Sequence, residues 1–148
     1  MNESKSYIGK PLAIVIDDTE VIRSLLFDAL TEKGYEVKTA NDATSGIALA
    51  TQVRPGVIFC DTYMPDLDGL RTIKKIRKVA PDAIVVMTNS LPEESFEKEA
   101  MASSVDFILN KPFGLDELWS VLEKVETMNN AKLGQPIKPT NQVKSSGS

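Results

Sequence analysis

Short runs of apolar residues at 12–16, 35–39, 56–60, 83–87 and 105–109 are separated by longer stretches with helical character. Strands this short and this continuously hydrophobic need cover on both faces. Strands joined through helices run parallel, because right-handed crossovers lay the helices back against the sheet. The pattern predicts an α/β domain with a parallel sheet covered on both sides.

Between the runs the helical period is visible. Val21, Ile22, Leu25, Leu26, Ala29 and Leu30 repeat at helical spacing, with Glu20, Arg23 and Asp28 free to face water and Gly34 placed as a left-handed C-cap. A second helix, "DATSGIALATQV", is weakened by Gly46 and stopped by Pro55 and Gly56. "LRTIKKIRKVA" gathers Leu70, Ile73, Ile76 and Val79 on one side and leaves a basic face outside. Pro92, after Ser90, opens a fourth helix whose Glu93 and Glu94 suit the positive end of its dipole. The last helix follows Gly114, with Leu115, Leu118, Trp119, Leu122 and Val125 at core-facing spacing. Beyond Asn129 the periodicity stops and Asn, Pro, Gly and Ser collect. The organisation expected is a flexible segment over residues 1–9, one domain over 10–129, and a tail over 130–148 that is a flexible linker, truncated or in part appended.

A chain of 148 residues with a formal charge of -4 is large enough for one core and has no electrostatic bias toward nucleic acid, so no direct DNA binding is expected. No run approaches the roughly 20 apolar residues that cross a bilayer, and "MNESKSYIGK" lacks a signal-peptide core, which points away from membrane insertion and toward the cytoplasm. The single Cys60 excludes an internal disulfide and reads as strand packing. The absence of histidine removes histidine-based zinc sites and general bases.

The first apolar run, Ile14, Val15 and Ile16, ends on two adjacent carboxylates, Asp17 and Asp18, which repel one another and cannot enter an apolar core unpaired. Parallel α/β sheets gather ligand-binding residues beyond the carboxyl ends of their strands. Asp61 follows the third run, Thr88 closes the fourth, and Lys111 follows the fifth, so the predicted fold brings these groups to one edge. Together they offer oxygen ligands for a divalent ion, a hydroxyl and one positive charge for phosphate oxygens. Asp61, held at a rigid strand end, is the best nucleophile. Asp18 and Asp61 are placed to ligate Mg2+ directly (Mn2+ being the alternative), with Asp17 acting through the ion or through coordinated water. Thr88 and Lys111 are placed to stabilise a transferred phosphoryl group. Tyr63 can add a backbone carbonyl to the ion, whereas Asp66 and Asp68 are read first as loop or helix-cap acceptors.

With "VIDD" at 15–18, "DTYMPDLDG" at 61–69, "VMTNS" at 86–90 and "KPF" at 111–113, the chain resembles the receiver domain of two-component response regulators, similar to single-domain chemotaxis regulators. The resemblance implies a flavodoxin-like (βα)5 fold of strand order 2-1-3-4-5. It implies Asp61 as phospho-acceptor, Asp17 and Asp18 as the acidic pair, Thr88 as switch hydroxyl, Lys111 as phosphate-contacting lysine, and magnesium as the ion. It also implies a histidine kinase or histidine phosphotransfer protein as donor, self-catalysed phosphotransfer and dephosphorylation, and output through helix four, strand five and helix five to a downstream protein or a missing effector domain.

Two positions depart from the family pattern. Where relatives carry a switch aromatic, this chain has Ile108, and Phe107 stands one residue earlier, read as core packing or, after a register shift, as a substitute. Asn89 stands where relatives carry a small residue, and its amide is read as a local loop partner or a modulator of the site. Tyr63 and Ser90 sit at pocket-edge positions that can tune hydrolysis. The competing functions are a phosphorylation-independent interaction module and a magnesium-dependent phosphatase. The phosphatase reading is disfavoured because Tyr63 and Thr19, not acids, lie two residues after Asp61 and Asp17.

Overall fold

A computed structural model describes residues 10–91, 96–102 and 104–132. The expectations for residues 1–9, for Pro92, Glu93 and Glu94, and for residues 133–148 lie outside the described residues. The chain divides into two compact units, Met1–Pro112 and Phe113–Ser148.

In the first unit the chain runs through β1 (Leu12–Ile16), α1 (Glu20–Glu32), β2 (Glu36–Ala40), α2 (Ala43–Gln52) and β3 (Val57–Asp61). It continues through α3 (Gly69–Val79), β4 (Ile84–Asn89), α4 (Phe96–Ala102) and β5 (Phe107–Asn110). The strands form one parallel sheet in the order β2-β1-β3-β4-β5, the flavodoxin-like arrangement. The order reverses beside β1, so the carboxyl ends of β1 and β3 flank the crevice where such sheets bind ligands.

One face of the sheet presents Ile14, Ile16, Ile58, Cys60, Val85 and Met87 to Ala43 and Ala50 of α2, Ile73 and Ile76 of α3, and Met101 of α4. Gly46 of α2 is a packing requirement rather than a weakness, because a Cβ there would overlap the Ile16 side chain. Leu26, Ala29 and Leu30 of α1 are buried outside that cluster, where α1 lies against β1 and β2. Val21, expected on the apolar stripe, is 73% exposed, and Leu25 is exposed too, so the buried stripe of α1 is confined to its C-terminal half. Gly34 follows the C-cap of α1 at φ 96°, the left-handed turn its position predicted.

The second unit carries α5 (Leu115–Lys132), whose Leu118, Val121, Leu122 and Val125 are buried while Leu115 is exposed. Glu117 accepts a hydrogen bond from the Gly114 amide at 2.6 Å, closing the first turn. The helix continues through Asn130, Ala131 and Lys132, past the end of its apolar repeat, since backbone hydrogen bonding does not require apolar side chains. No helix among the described residues is long and apolar enough to cross a membrane.

Candidate phospho-acceptor and metal site

The site lies in the first unit, at the carboxyl edge of the sheet. Asp17 leaves β1 with its amide donating to the Ala40 carbonyl at 3.1 Å, one rung beyond the β1–β2 ladder. Its Oδ1 accepts from the Thr19 amide at 2.8 Å, and Arg23 Nη1 donates to its carbonyl at 2.8 Å. Asp61 ends β3 opposite Thr88 in the β3–β4 register. Asp17 and Asp61 are buried and Asp18 is exposed, and one carboxylate oxygen of each lies within 4.8 Å of the others. Among the described residues this is the one acidic group so arranged.

Lys111 reaches into the cluster from just beyond β5. Its ammonium donates to Asp17 Oδ2 at 2.9 Å and to Asp61 Oδ1 at 3.2 Å. Burial, and then the neighbouring Asp17 charge, push the Asp61 carboxyl above its ordinary range, and the Lys111 ammonium only partly offsets this. For Lys111 burial acts downward, but the hydrogen bond to Asp17 and the charges of Asp61 and Asp17 outweigh it, so its pKa is raised. Negative charge is in excess here: two buried carboxylates and a third beside them face one ammonium. Hard oxygen donors gathered at this spacing with an unbalanced charge fit a divalent ion such as Mg2+.

The loop after β3 is held rigidly. Tyr63–Met64 pairs with Leu67–Asp68 as a short antiparallel ladder, and Tyr63 is 62% exposed. At the tip, Asp66 accepts from the Ala43 and Thr44 amides, each at 3.0 Å, and from the Thr44 hydroxyl at 2.7 Å. With Asp42 accepting from the Ser45 amide at 2.8 Å, the free amides that open α2 are satisfied, two of them by a different loop. Asp68 caps α3 through the Arg71 amide at 2.9 Å. Both acids are occupied as cap acceptors, as the sequence suggested.

Thr88 is buried at the end of β4, and its carbonyl accepts from the Thr62 amide at 3.1 Å. Asn89 extends the strand by one residue, and its amide group is engaged by Leu91 and Asn110. Ser90 is exposed, with its amide donating to Thr62 Oγ1 at 3.2 Å. The register pairs Val86 with Phe107 and Met87 with Ile108, so these two neighbours face opposite sides and Ile108 packs on the α2–α3 cluster. Cys60 is buried, and burial pushes its thiol far up, as befits strand packing. Thr62, Asp66 as a cap for a helix behind it, and Asn110 were not singled out from the sequence, because each acts across at least 21 residues of chain.

Comparison with known proteins gives one answer. The sequence model of the response regulator receiver domain matches residues 13–123. The chain is 32% identical over 116 residues to the chemotaxis protein CheY of Thermotoga maritima, covering 76% of this chain and 94% of that protein. It is 27% identical over 120 residues to the regulatory protein AtoC of Escherichia coli strain K12, of whose length it spans only 26%. The solved receiver (REC) domain of AraT, a response regulator from Geobacillus stearothermophilus, superposes with a TM-score of 0.74 at 29% identity, covering 82% of this chain and 97% of that one. Similarity along nearly the whole of a single-domain relative, with the acidic cluster at the strand edge where such sheets bind ligands, leaves one assignment: the chain belongs to the CheY-like family of response regulator receiver domains.

Proposed function

We propose that Asp61 accepts a phosphoryl group from the phosphohistidine of a partner histidine kinase or histidine phosphotransfer protein, and that the loop after β4, with α4 and β5, passes the change to a protein partner or an effector domain. The observation that carries this reading is the Lys111 ammonium bridging Asp17 and Asp61, residues 94 and 50 positions away in sequence. A partly buried cation held between two carboxylates is a ready partner for the oxygens of a phosphoryl group arriving on one of them.

In the transfer, an Asp61 carboxylate oxygen forms a bond to phosphorus while the phosphorus–nitrogen bond of the donor breaks and the imidazole leaves with the electron pair. Asp17, Asp18 and Asp61, joined by the Tyr63 carbonyl, would hold the Mg2+ ion. When bound, that ion supplies positive charge against the carboxylates and the phosphoryl oxygens. Lys111 exchanges its Asp61 contact for a phosphoryl oxygen, and the Thr88 hydroxyl donates to another. Water attack on phosphorus later returns inorganic phosphate and the free carboxylate. The rigid backbone around Asp61, tied through Thr62 to Thr88 and through Asp66 to α2, supports a nucleophile that is oriented before the donor arrives.

Incubation with acetyl phosphate and magnesium, followed by intact-mass and peptide analysis, tests this directly. The expected result is one phosphoryl mass on Asp61, absent from Asp61→Asn. A phosphoryl group on another residue would overturn the assignment of the nucleophile.

A further inference from the structure

Asn89 is 4% exposed, and its side-chain amide makes three hydrogen bonds. The Leu91 amide donates to its Oδ1 at 3.1 Å, and its Nδ2 donates to Asn110 Oδ1 at 2.8 Å and to the Leu91 carbonyl at 3.3 Å. The orientation of this amide follows from its partners, since a backbone N–H can only donate and must therefore face the oxygen. Below it, the Lys111 amide donates to the Asn89 carbonyl at 2.7 Å. Asn89 and Asn110 are register partners on β4 and β5, the rung beyond Met87 and Ile108. Alternation along β4 puts Asn89 on the side of Val85 and Met87 and turns it away from Thr88.

The amide pair therefore joins the start of the loop that follows β4 to the end of β5 that delivers Lys111. Next to it, the Ile108 side chain offers no polar atom, so beyond the backbone ladder it adds no side-chain hydrogen bond between these two elements. We infer that the Asn89–Asn110 amide pair is the link by which a change at the phospho-acceptor site reaches β5 in this chain. The inference rests on the phosphorylation reading above and adds the path of its regulation. Asn89 and Asn110 are positioning residues: they touch neither the carboxylates nor Lys111 Nζ, and they act by holding Leu91 and the β5 end in one arrangement. A buried amide with both N–H groups donated and its oxygen accepting has two discrete conditions, paired or broken, which is what a switch element requires.

Asn110 is exposed, so it can be altered with little risk to folding. Asn110→Ala removes the cross-strand acceptor for Asn89 Nδ2 and leaves the Leu91 carbonyl, whereas Asn110→Asp keeps an oxygen there. Wild type and both variants would be treated with acetyl phosphate and magnesium, phosphorylation verified by mass, and amide hydrogen exchange compared before and after at Asn89–Leu91 and at Ile108–Asn110. The expected result is a response at both segments in wild type and Asn110→Asp. In Asn110→Ala the loop response persists while the β5 response falls about fivefold, the lower end of ordinary coupling factors. A wild-type-sized β5 response in phosphorylated Asn110→Ala, an equal loss in Asn110→Asp, or a silent β5 in phosphorylated wild type would each overturn the coupling alone. Absence of phosphate from wild-type Asp61 would instead remove the proposed function, and the coupling with it.

Discussion

Lys111 Nζ lies 2.9 Å from Asp17 Oδ2, and this contact defines the electrostatic state of the site. The same ammonium is 3.2 Å from Asp61 Oδ1, so one cation serves two buried carboxylates. Neither pairing is complete by itself. The carboxylates sit close enough to repel, and the lysine side chain, 16% exposed, is the protein's own answer to that repulsion.

Removing the lysine should expose the conflict. Lys111→Ala is expected to lose about 2 kcal/mol of stability in chelator-containing buffer, below the usual loss for breaking a fully buried pair because part of the side chain meets solvent. Millimolar magnesium should restore much of it by supplying charge to the same oxygens. The pairing raises the pKa of Lys111, so its contribution is complete below the ordinary lysine range and is lost as pH rises through the raised value. Urea unfolding with and without magnesium is the measurement, and equal losses in both buffers would contradict the account.

Asp61→Asn should act in the opposite direction. A carboxyl whose folded pKa is raised favours the native state at low pH and penalises it as pH climbs through the folded value. The amide removes that penalty while still accepting from Lys111. A gain of about 1 kcal/mol at neutral pH is expected, in line with other substitutions that relieve functional strain. The gain should vanish below the carboxylate range. A neutral-pH melting point lower than wild type would show that Asp61 is not a strained group.

The sheet and the acidic cluster were legible in the sequence because each depends on local pattern: an apolar run for a strand, polar residues at its end. The strands outrun the apolar runs, however. β3 takes in Asp61, and β4 takes in Thr88 and Asn89, because ladder hydrogen bonds, not hydrophobicity, set a strand's end. The exposure of Val21 was hidden for a related reason, since helical period identifies a stripe but not how far along it the neighbouring sheet extends. Asp66 capping α2 and Asn110 meeting Asn89 are meetings of distant segments, and nothing in the residues themselves names the partner.

Asp66 gives a pH signature of its own. Hydrogen bonds from Thr44, side chain then backbone, and from the Ala43 amide hold its carboxyl down at about 2. A depressed carboxyl stabilises the fold above its unfolded value and loses that contribution as pH falls through the folded one. Asp66→Ala is therefore expected to melt earlier than wild type at neutral pH, with the difference narrowing from about pH 4 downward. Thermal scans of both proteins across that range supply the check. A difference that stays constant to pH 2 would mean that the charge on Asp66 is irrelevant to the cap.

Two helical glycines separate packing from positioning. A Cβ at Gly46 would overlap only the Ile16 side chain, but one at Gly69 would overlap both Met101 Cε and the Thr62 carbonyl oxygen. Side chains can repack at a loss of about 1–3 kcal/mol. The Thr62 backbone cannot yield without moving Asp61, to which it is directly bonded, and disturbing its amide contact to the Thr88 carbonyl and the hydroxyl that accepts from the Ser90 amide. Gly46→Ala should therefore lower stability by about 1–2 kcal/mol while leaving the rate of phosphorylation by acetyl phosphate close to wild type. Gly69→Ala should lower stability further, by about 3 kcal/mol, and slow phosphorylation at least about tenfold even at temperatures where it remains folded, because a displaced nucleophile loses its orientation. Melting curves and single-turnover phosphorylation on the two variants separate these effects. Equal phosphorylation rates in folded Gly46→Ala and Gly69→Ala would mean that the backbone beside Asp61 tolerates displacement, and that the rigidity of the β3 loop has no part in the chemistry.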